Sequence, residues 1–405
     1  MKKSSASHQK PKVFMLLTNP FQPDPRVLKE ARSLSFDYDV TIWALDPEGR
    51  YLGYEEVEGV RIQRVRLTFL RLLRPVMLKL HLTLLIETVF FYIKSLQLFW
   101  RDFQIVHSHD LPPLPLAVFL GKLKGVKIVF DAHEDFAAQV GFLRGRLIER
   151  LLCVLERGLV RHVDDVIVIG EIMREEYRKR TRKPVQVVGN WNDPEDFKEM
   201  PNKLVASRAR KARDENKLIV SYLTGINPSR ILLPLLEAAR EDPDVFILVA
   251  GGLPENPLAK CVEHIMADLS NGSYLGWLDH GRLMAYFLYT DVVYYCLHPG
   301  DPNNKYSAGN TVFSALATGK AVITTEIGEV GRLVKRGNCG VVMSEASKQE
   351  ILAAFAKLKD LRYLRMCQKN AMKTAQSYTW SRAEKTLLEL YRNLLERPIS
   401  VKVSP

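Results

Sequence analysis

A chain of 405 residues, 47% hydrophobic and 26% charged, is long enough for two domains of ordinary size and has the composition of a folded globular protein, not a disordered one. Its 58 lysines and arginines against 46 aspartates and glutamates leave a formal net charge of +12, which attracts anionic partners. No recognisable nucleic-acid motif accompanies that charge, so phosphorylated substrates and anionic membrane take precedence over nucleic acid as partners.

Met1 to Lys12 is polar and basic without an apolar h-region, so residues 1–11 read as a flexible tail and not as a secretory signal. Val13 to Leu17 reads as a buried parallel strand. A loop from Thr18 to Asp24 follows, then a helix from Pro25 to Ser35, with Asp24 able to cap it and Pro25 at its first position. Val40 to Ala44 is the second strand. This βαβ order predicts an α/β fold with a doubly wound parallel sheet and ligands at the carboxyl ends of its strands. The absence of Gly-x-Gly-x-x-Gly counts against an NAD enzyme.

Glu58 to Val65 alternates polar and apolar residues and reads as a third strand. Leu67 to Trp100 is strongly apolar but broken by Arg71, Arg74, Lys79, Glu87 and Lys94, so no uncharged run approaches the ~20 residues a transmembrane helix needs. As a helix over 76–101, this segment places Lys79, Thr83, Glu87, Lys94 and Arg101 in one narrow stripe. Two readings stay open: an amphipathic surface resting on an anionic leaflet, or a helix buried against the sheet with its cations solvated.

Ile105 to Asp110 is a short strand running into a polar end, with His107 and His109 on one side of it. Helix is expected from Pro112 to Lys124, then a strand from Lys127 to Phe130 that ends in Asp131-Ala132-His133-Glu134. A binuclear metal signature is broken by Asp110-Leu111-Pro112, so no metal site is expected. Imidazoles hydrogen-bonded at the strand ends for structural reasons are the plain alternative. The five cysteines, Cys153, Cys261, Cys296, Cys339 and Cys367, are odd in number with no close pair, which fits reduced thiols in a cytosolic setting.

Further helices are expected over 146–160 and 171–180, with strands over 166–170 and 185–188. Residues 199–216 are polar, charged and poorly periodic, and read as a linker. The pattern then restarts with a strand at Leu218 to Leu223, a loop containing Gly225, and a helix from Ser229 to Arg240 that carries Arg230 near its start. Strands follow at Val245 to Val249 and Val292 to Tyr295. Asn304 to Ile323 reads as loop, helix and strand, with the helix starting at Asn310 or Thr311. Its unpaired amides, the small residues Ser307, Ala308 and Gly309, and Lys305 suit an anion. The bland reading is a capped helix that packs Val312, Phe313 and Leu316 into a core.

Several stretches together carry a resemblance. Asp24-Pro25-Arg26-Val27 with Glu30-Ala31, Val106-His107-Ser108-His109-Asp110, Asp131-Ala132-His133-Glu134, and Gly189-Asn190-Trp191-Asn192-Asp193 are four of them. Gly225 with Arg230, the run from Gly309 to Ser314 with Gly319-Lys320, and Thr379-Trp380-Ser381 are the others. In this order they resemble family 4 glycosyltransferases, the retaining sugar transferases of GT-B fold, over nearly the whole chain.

That resemblance implies two Rossmann-like domains facing a cleft: an acceptor-side domain over 12–198, a nucleotide-sugar domain over 217–378, and a last helix over 379–397 that crosses back. It implies His109 and Arg230 in catalysis, with donor contacts from Gly225, Arg230, Ser307, Ala308, Gly309, Asn310, Thr311 and Ser314. Arg26, Asp110, His133 and Glu134 fall on the acceptor side. Two positions depart from the family, since Thr311 replaces a usual Lys and Ser314 replaces the Glu that holds the nucleotide ribose.

The implied function is transfer of a sugar from a nucleotide-diphosphate donor to an acceptor hydroxyl with retention, without a metal or other cofactor. The apolar, basic segment before residue 101 points to a glycan or lipid-linked acceptor and to a cytoplasmic protein peripheral on the inner face of an anionic membrane. The alternative is a catalytically silent GT-B protein that binds sugar or lipid or serves as a scaffold.

Overall fold

The apolar runs become the middles of two sheets. The computed structural model describes residues 10–22, 24–70, 83–197 and 203–397, and within them the chain forms two compact units. One is built from the residues up to Val188 together with those from Glu384 on, and the other from Gly189–Ala383. Residues 1–9 of the expected tail, residues 199–202 of the expected linker, and Arg71, Arg74 and Lys79 of the expected basic helix lie outside the described residues.

The first unit holds β1 (Lys12–Leu17), β2 (Asp39–Asp46), β3 (Tyr54–Val57), β4 (Val60–Arg66), β5 (Ile105–His109), β6 (Lys127–Ala132), β7 (Asp165–Val168) and β8 (Val185–Val187). They form one sheet in the order β3-β4-β2-β1-β5-β6-β7-β8. All pairs are parallel except β3 with β4. Helices cover such a sheet on both faces, which is why β5 and β6 are buried at every position. The antiparallel β3 is absent from the sequence reading. It pairs with β4 through Glu58 and Gly59, both at positive φ, the backbone of a two-residue hairpin turn that Gly59 favours.

The second unit holds β9 (Leu218–Leu223), β10 (Val245–Ala250), β11 (Gly272–Tyr274), β12 (Val292–Tyr295), β13 (Ala321–Thr325) and β14 (Gly340–Met343). They form an all-parallel sheet in the order β11-β10-β9-β12-β13-β14. Its core is aliphatic and aromatic, with Val220, Tyr222, Ile247, Val249, Tyr294 and Ile323 fully buried.

Strand order reverses between β1 and β5 in the first sheet and between β9 and β12 in the second. A crevice forms at the carboxyl ends where connections part to opposite faces, and ligands of doubly wound folds bind there. Both clusters of site residues described below lie at these reversals.

Two expectations are corrected. Lys203–Asp214, read as linker, is a helix whose polar composition hid the packing of Ala209 and Ala212, both buried. The helix expected from Ser229 begins at Leu233, with a proline in its first turn, so Arg230 sits before it in extended chain.

Candidate functional site

In the first unit, Asp24 fixes the start of the helix Pro25–Ser35. Its carboxylate accepts from Arg26 N at 3.0 Å and Val27 N at 3.3 Å. Arg26 and Glu30, one turn apart, then share a face. Arg26 is neither exposed nor solvated. Its Nη2 donates to Asp131 Oδ1 at 2.7 Å, its Nη1 donates to Val188 O at 2.7 Å, and its Nε lies 3.2 Å from Glu30 Oε1.

Asp131 stands beside His109 in the parallel register of β5 and β6. Its second oxygen, Oδ2, accepts from His133 Nε2 at 2.9 Å and lies 3.4 Å from His109 Nδ1. His109 Nδ1 and His133 Nε2 are 3.1 Å apart. His107 stacks on His109 at 4.2 Å between ring centroids, and its Nδ1 is 2.8 Å from Tyr391 Oη. Asp110 follows at φ 64, a backbone that aspartate tolerates better than most residues, and its Oδ1 accepts from His133 N at 2.9 Å.

Of the expected residues, His109 is buried. His133, Asp110 and Glu134 reach solvent, Glu134 Oε2 accepting from Gln139 Nε2 at 3.1 Å.

Charge follows from this geometry. Burial would raise the Asp131 carboxyl, but Arg26 and His133 hold it well below the usual carboxylate range. Burial would lower His133, yet Asp131 and Asp110 lift it to about 9. Glu30 is pushed up to about 8 by burial and by Asp131. Burial lowers His107 and His109. At neutral pH the cluster therefore holds two cations, Arg26 and His133, around one buried carboxylate, with Glu30 protonated and two neutral imidazoles.

Glu30 and His133 both have folded values above their ordinary ones. Stability from each is fully present below the ordinary value and is lost as pH rises through the raised one. The first unit should thus weaken from pH 4.5 to about 8 through Glu30, and from pH 6.5 to about 9 through His133. Urea denaturation at pH 6.5 and pH 9 should show a loss of roughly 4 kcal/mol from the two groups together, about half of it gone in His133→Asn. An equal loss in that variant would remove His133 as the cause.

Glu30, His107, His109 and Asp131 each present a ligand-type atom, all within 4.8 Å of one another, a set that could hold a metal ion. Arg26 already supplies the positive charge that balances Asp131, the one ionised acid of the set, and lies against protonated Glu30.

In the second unit, residues 229–231 run beside 296–298. Ile231 N donates to Cys296 O at 3.0 Å, and His298 N to Ser229 O at 2.9 Å. This sets Arg230 over the ring of Tyr295, 5.5 Å from its centroid, with Nη2 3.4 Å from Tyr295 Oη. Tyr295 Oη is in turn 3.3 Å from Ser307 Oγ. No carboxylate pairs with Arg230 among the described residues, and its Nε is buried without a partner. Burial lowers and Tyr295 raises its pKa, with a net rise that keeps it cationic.

The helix Asn310–Ala317 starts at Gly309, which has φ 22 and offers no side-chain cap. A Cβ on Gly309 would lie 3.0 Å from the Tyr295 ring and from Val330, so only a bare backbone fits comfortably. Thr311 Oγ1 donates to Leu223 O at 3.1 Å, which ties this helix start to the end of β9, next to Gly225. The structure thus brings Arg230, Ser307 and Gly309 together around Tyr295, with Thr311 and Gly225 beside them. Ala308 is buried and Asn310 exposed.

Ser314 departs from the expectation. It is 2% exposed, and its Oγ accepts from Asn192 Nδ2 at 3.0 Å while facing Met284 Sδ at 3.9 Å. Its hydroxyl is engaged inside the unit and is not open to a ribose.

Sequence reasoning did not assign Asp131, Glu30, Tyr295 or Tyr391 to the site. Asp131 and Glu30 stand in the same sequence motifs as His133 and Arg26, and that spacing is a usable signal. Tyr295 and Tyr391 carried none, since each reads as core.

Two sheets of this topology, each with a polar cluster at its strand reversal, define a GT-B protein. The likeness to solved structures has the same form. Sucrose-phosphate synthase from Thermosynechococcus elongatus superposes with a TM-score of 0.71 at 15% identity, covering 95% of this chain and 99% of that one. HepE of Anabaena in complex with UDP gives 0.68 at 14%, covering 94% and 100%.

Two family descriptions match: Glycosyl transferase 4-like domain over residues 25–191, and Glycosyl transferases group 1 over residues 206–374. The chain belongs to the group 1 glycosyltransferases of family 4. Among curated proteins, a glycogen synthase of Mycobacterium tuberculosis is 25% identical over 270 residues, 64% of this chain and 61% of that protein. The match thus spans about three fifths of that relative's length.

Proposed function

We propose that the protein moves a sugar from a nucleotide-diphosphate donor to an acceptor hydroxyl with retention of configuration. The observation that carries this is Arg230: a guanidinium without a carboxylate partner among the described residues, held on Tyr295 beside an uncapped helix start. A departing diphosphate needs positive charge placed in advance. An arginine fork with free amides supplies it, gripping two phosphate oxygens at once.

In the reaction the bond from the anomeric carbon to the phosphate oxygen breaks as the acceptor oxygen bonds to the same face of that carbon. The acceptor proton passes to the departing diphosphate. Arg230, Gly225, Thr311, the Ser307 hydroxyl and the amides of 308–310 serve the donor, the Ser307 amide being taken by Asn304 O, with Arg230 carrying the charge that a metal carries elsewhere. In the first unit, His109 serves the sugar and Asp110, His133 and Glu134 the acceptor, while Arg26, buried away from any acceptor, holds Asp131 in place behind them. His133, cationic and reaching solvent beside Asp110, suits an acceptor bearing hydroxyls and negative charge. A lipid-linked or membrane-bound acceptor is the one we favour.

The test is calorimetric titration of UDP, GDP and ADP in EDTA. One of the three should bind at micromolar levels without a divalent cation, UDP first, because a protein of the same fold binds it. Binding that returns only with added magnesium would overturn the metal-independent form.

The burial of Ser314 favours a second reading, a silent GT-B binding protein or scaffold, because this position offers no carboxylate to a ribose. Failure of all three nucleotides to bind would make that reading the better one.

A further inference from the structure

An amphipathic helix on a globular unit normally turns its apolar stripe inward. Two helices of the first unit bury polar residues beside Phe91 and Val160 and leave more apolar residues exposed than buried. In Arg146–Val160 the buried positions include Glu156, whose Oε1 accepts from Arg180 Nη1 at 2.9 Å, while Leu147, Leu151 and Val154 are 72%, 62% and 69% exposed. In Thr83–Ser95, Glu87 and Ser95 are buried, Ser95 Oγ accepting from Trp43 Nε1 at 2.8 Å. Leu85, Val89 and Ile93 of that helix are exposed, and Trp100 just beyond it is 84% exposed.

The helix Leu114–Lys124 packs against both Arg146–Val160 and the turn at 96–100, and it exposes Phe119 and Leu123. The exposed apolar residues therefore belong to three neighbouring helices. A set this large on one side of a unit marks an interaction surface.

Charge identifies the occupant. At 100° per residue Arg146, Arg150, Arg157 and Arg161 line one flank of the Leu147–Leu151–Val154 stripe, and all four are exposed, as are Lys94 and Lys122. The only acids in the three helices are Glu87, Glu149 and Glu156, and none is exposed. Two copies of this face would set arginine against arginine. Anionic headgroups above an apolar layer match it on both counts.

We infer that this three-helix face docks on an anionic lipid membrane, lying in its interface. No helix among the described residues is long and apolar enough to cross a bilayer. The helix Phe136–Arg144 joins the face to His133 and Glu134, about 13 Å of helix away. The face would thus hold the acceptor side near lipid. In that purpose it deepens the lipid-linked acceptor reading and rests on it, while the surface itself stands on exposure and charge.

The test is sedimentation of the full-length protein with vesicles of phosphatidylcholine alone or with one third phosphatidylglycerol, at low salt. Wild type should sediment with the mixed vesicles only. Leu147→Ser/Leu151→Ser/Val154→Ser and, separately, Arg150→Glu/Arg157→Glu should each weaken this at least about tenfold, with nucleotide binding unchanged. Wild type staying in solution, or both variants sedimenting as it does, would overturn the inference. So would a dimer of the free protein that the triple change splits, since the occupant would then be a second copy. Vesicle binding by a protein that binds no nucleotide would leave the face standing and remove the donor reading instead.

Discussion

Asp131→Ala should lower the stability of the first unit by about 3 to 5 kcal/mol, the usual effect of removing one partner from a buried ion pair. Asp131 accepts from Arg26 and His133 and lies near His109, and it is fully buried. Without it the Arg26 guanidinium, 4% exposed, is left among the described residues with Glu30, the Val188 carbonyl and the more distant charge of Asp24. Burial still raises the Glu30 carboxyl, but the like charge that added to it is gone, so Glu30 should ionise more readily beside Arg26. That recovers part of the loss and makes the variant's pH profile flatter above pH 4.5 than wild type. Arg26→Met/Asp131→Leu, which removes both charges, should be far less damaged than the single change. Urea denaturation followed by hydrogen exchange in the first unit reads both effects, and a loss below about 1 kcal/mol in Asp131→Ala would show that the network contributes little.

Arg230→Ala has the largest expected effect on activity. Loss of a charge-assisted bond costs about 1.5 to 3 kcal/mol, so nucleotide affinity should fall roughly ten- to a hundredfold. Because the diphosphate gains charge as it departs, kcat should fall further, about a hundred- to a thousandfold. Arg230→Lys should restore only part, for lysine lacks the two-pronged fork and stacks poorly on Tyr295. Initial rates and calorimetry with the nucleotide that binds wild type separate the two losses. Equal affinity in Arg230→Ala would mean that the phosphates sit elsewhere.

Much of the fold was legible because parallel strands buried on both faces announce themselves as short apolar runs, as at 13–17, 218–223 and 292–295. The parts that stayed hidden have a common cause. Tyr54–Val57 and Lys203–Asp214 are polar elements at an edge or surface, where composition resembles loop. For the site, Arg26, His109, His133 and Arg230 could be picked from motifs. Their partners could not, since Asp131 lies 105 residues from Arg26, and Tyr391 lies 284 from His107. Ser314 shows the limit of motif reading. Register places it at a ligand position, but a side chain 122 residues away decides what its hydroxyl does.

Tyr391 belongs to the first unit although the whole second unit, Gly189–Ala383, is encoded between it and Val188. On a ribosome adding about 5 to 20 residues per second, the first sheet waits roughly 10 to 40 s before that tyrosine exists. During this interval His107 and its neighbours sit beneath an incomplete roof, open to water or to a chaperone. A chain released early would carry every motif named here and still lack the hydroxyl that closes over its central imidazole.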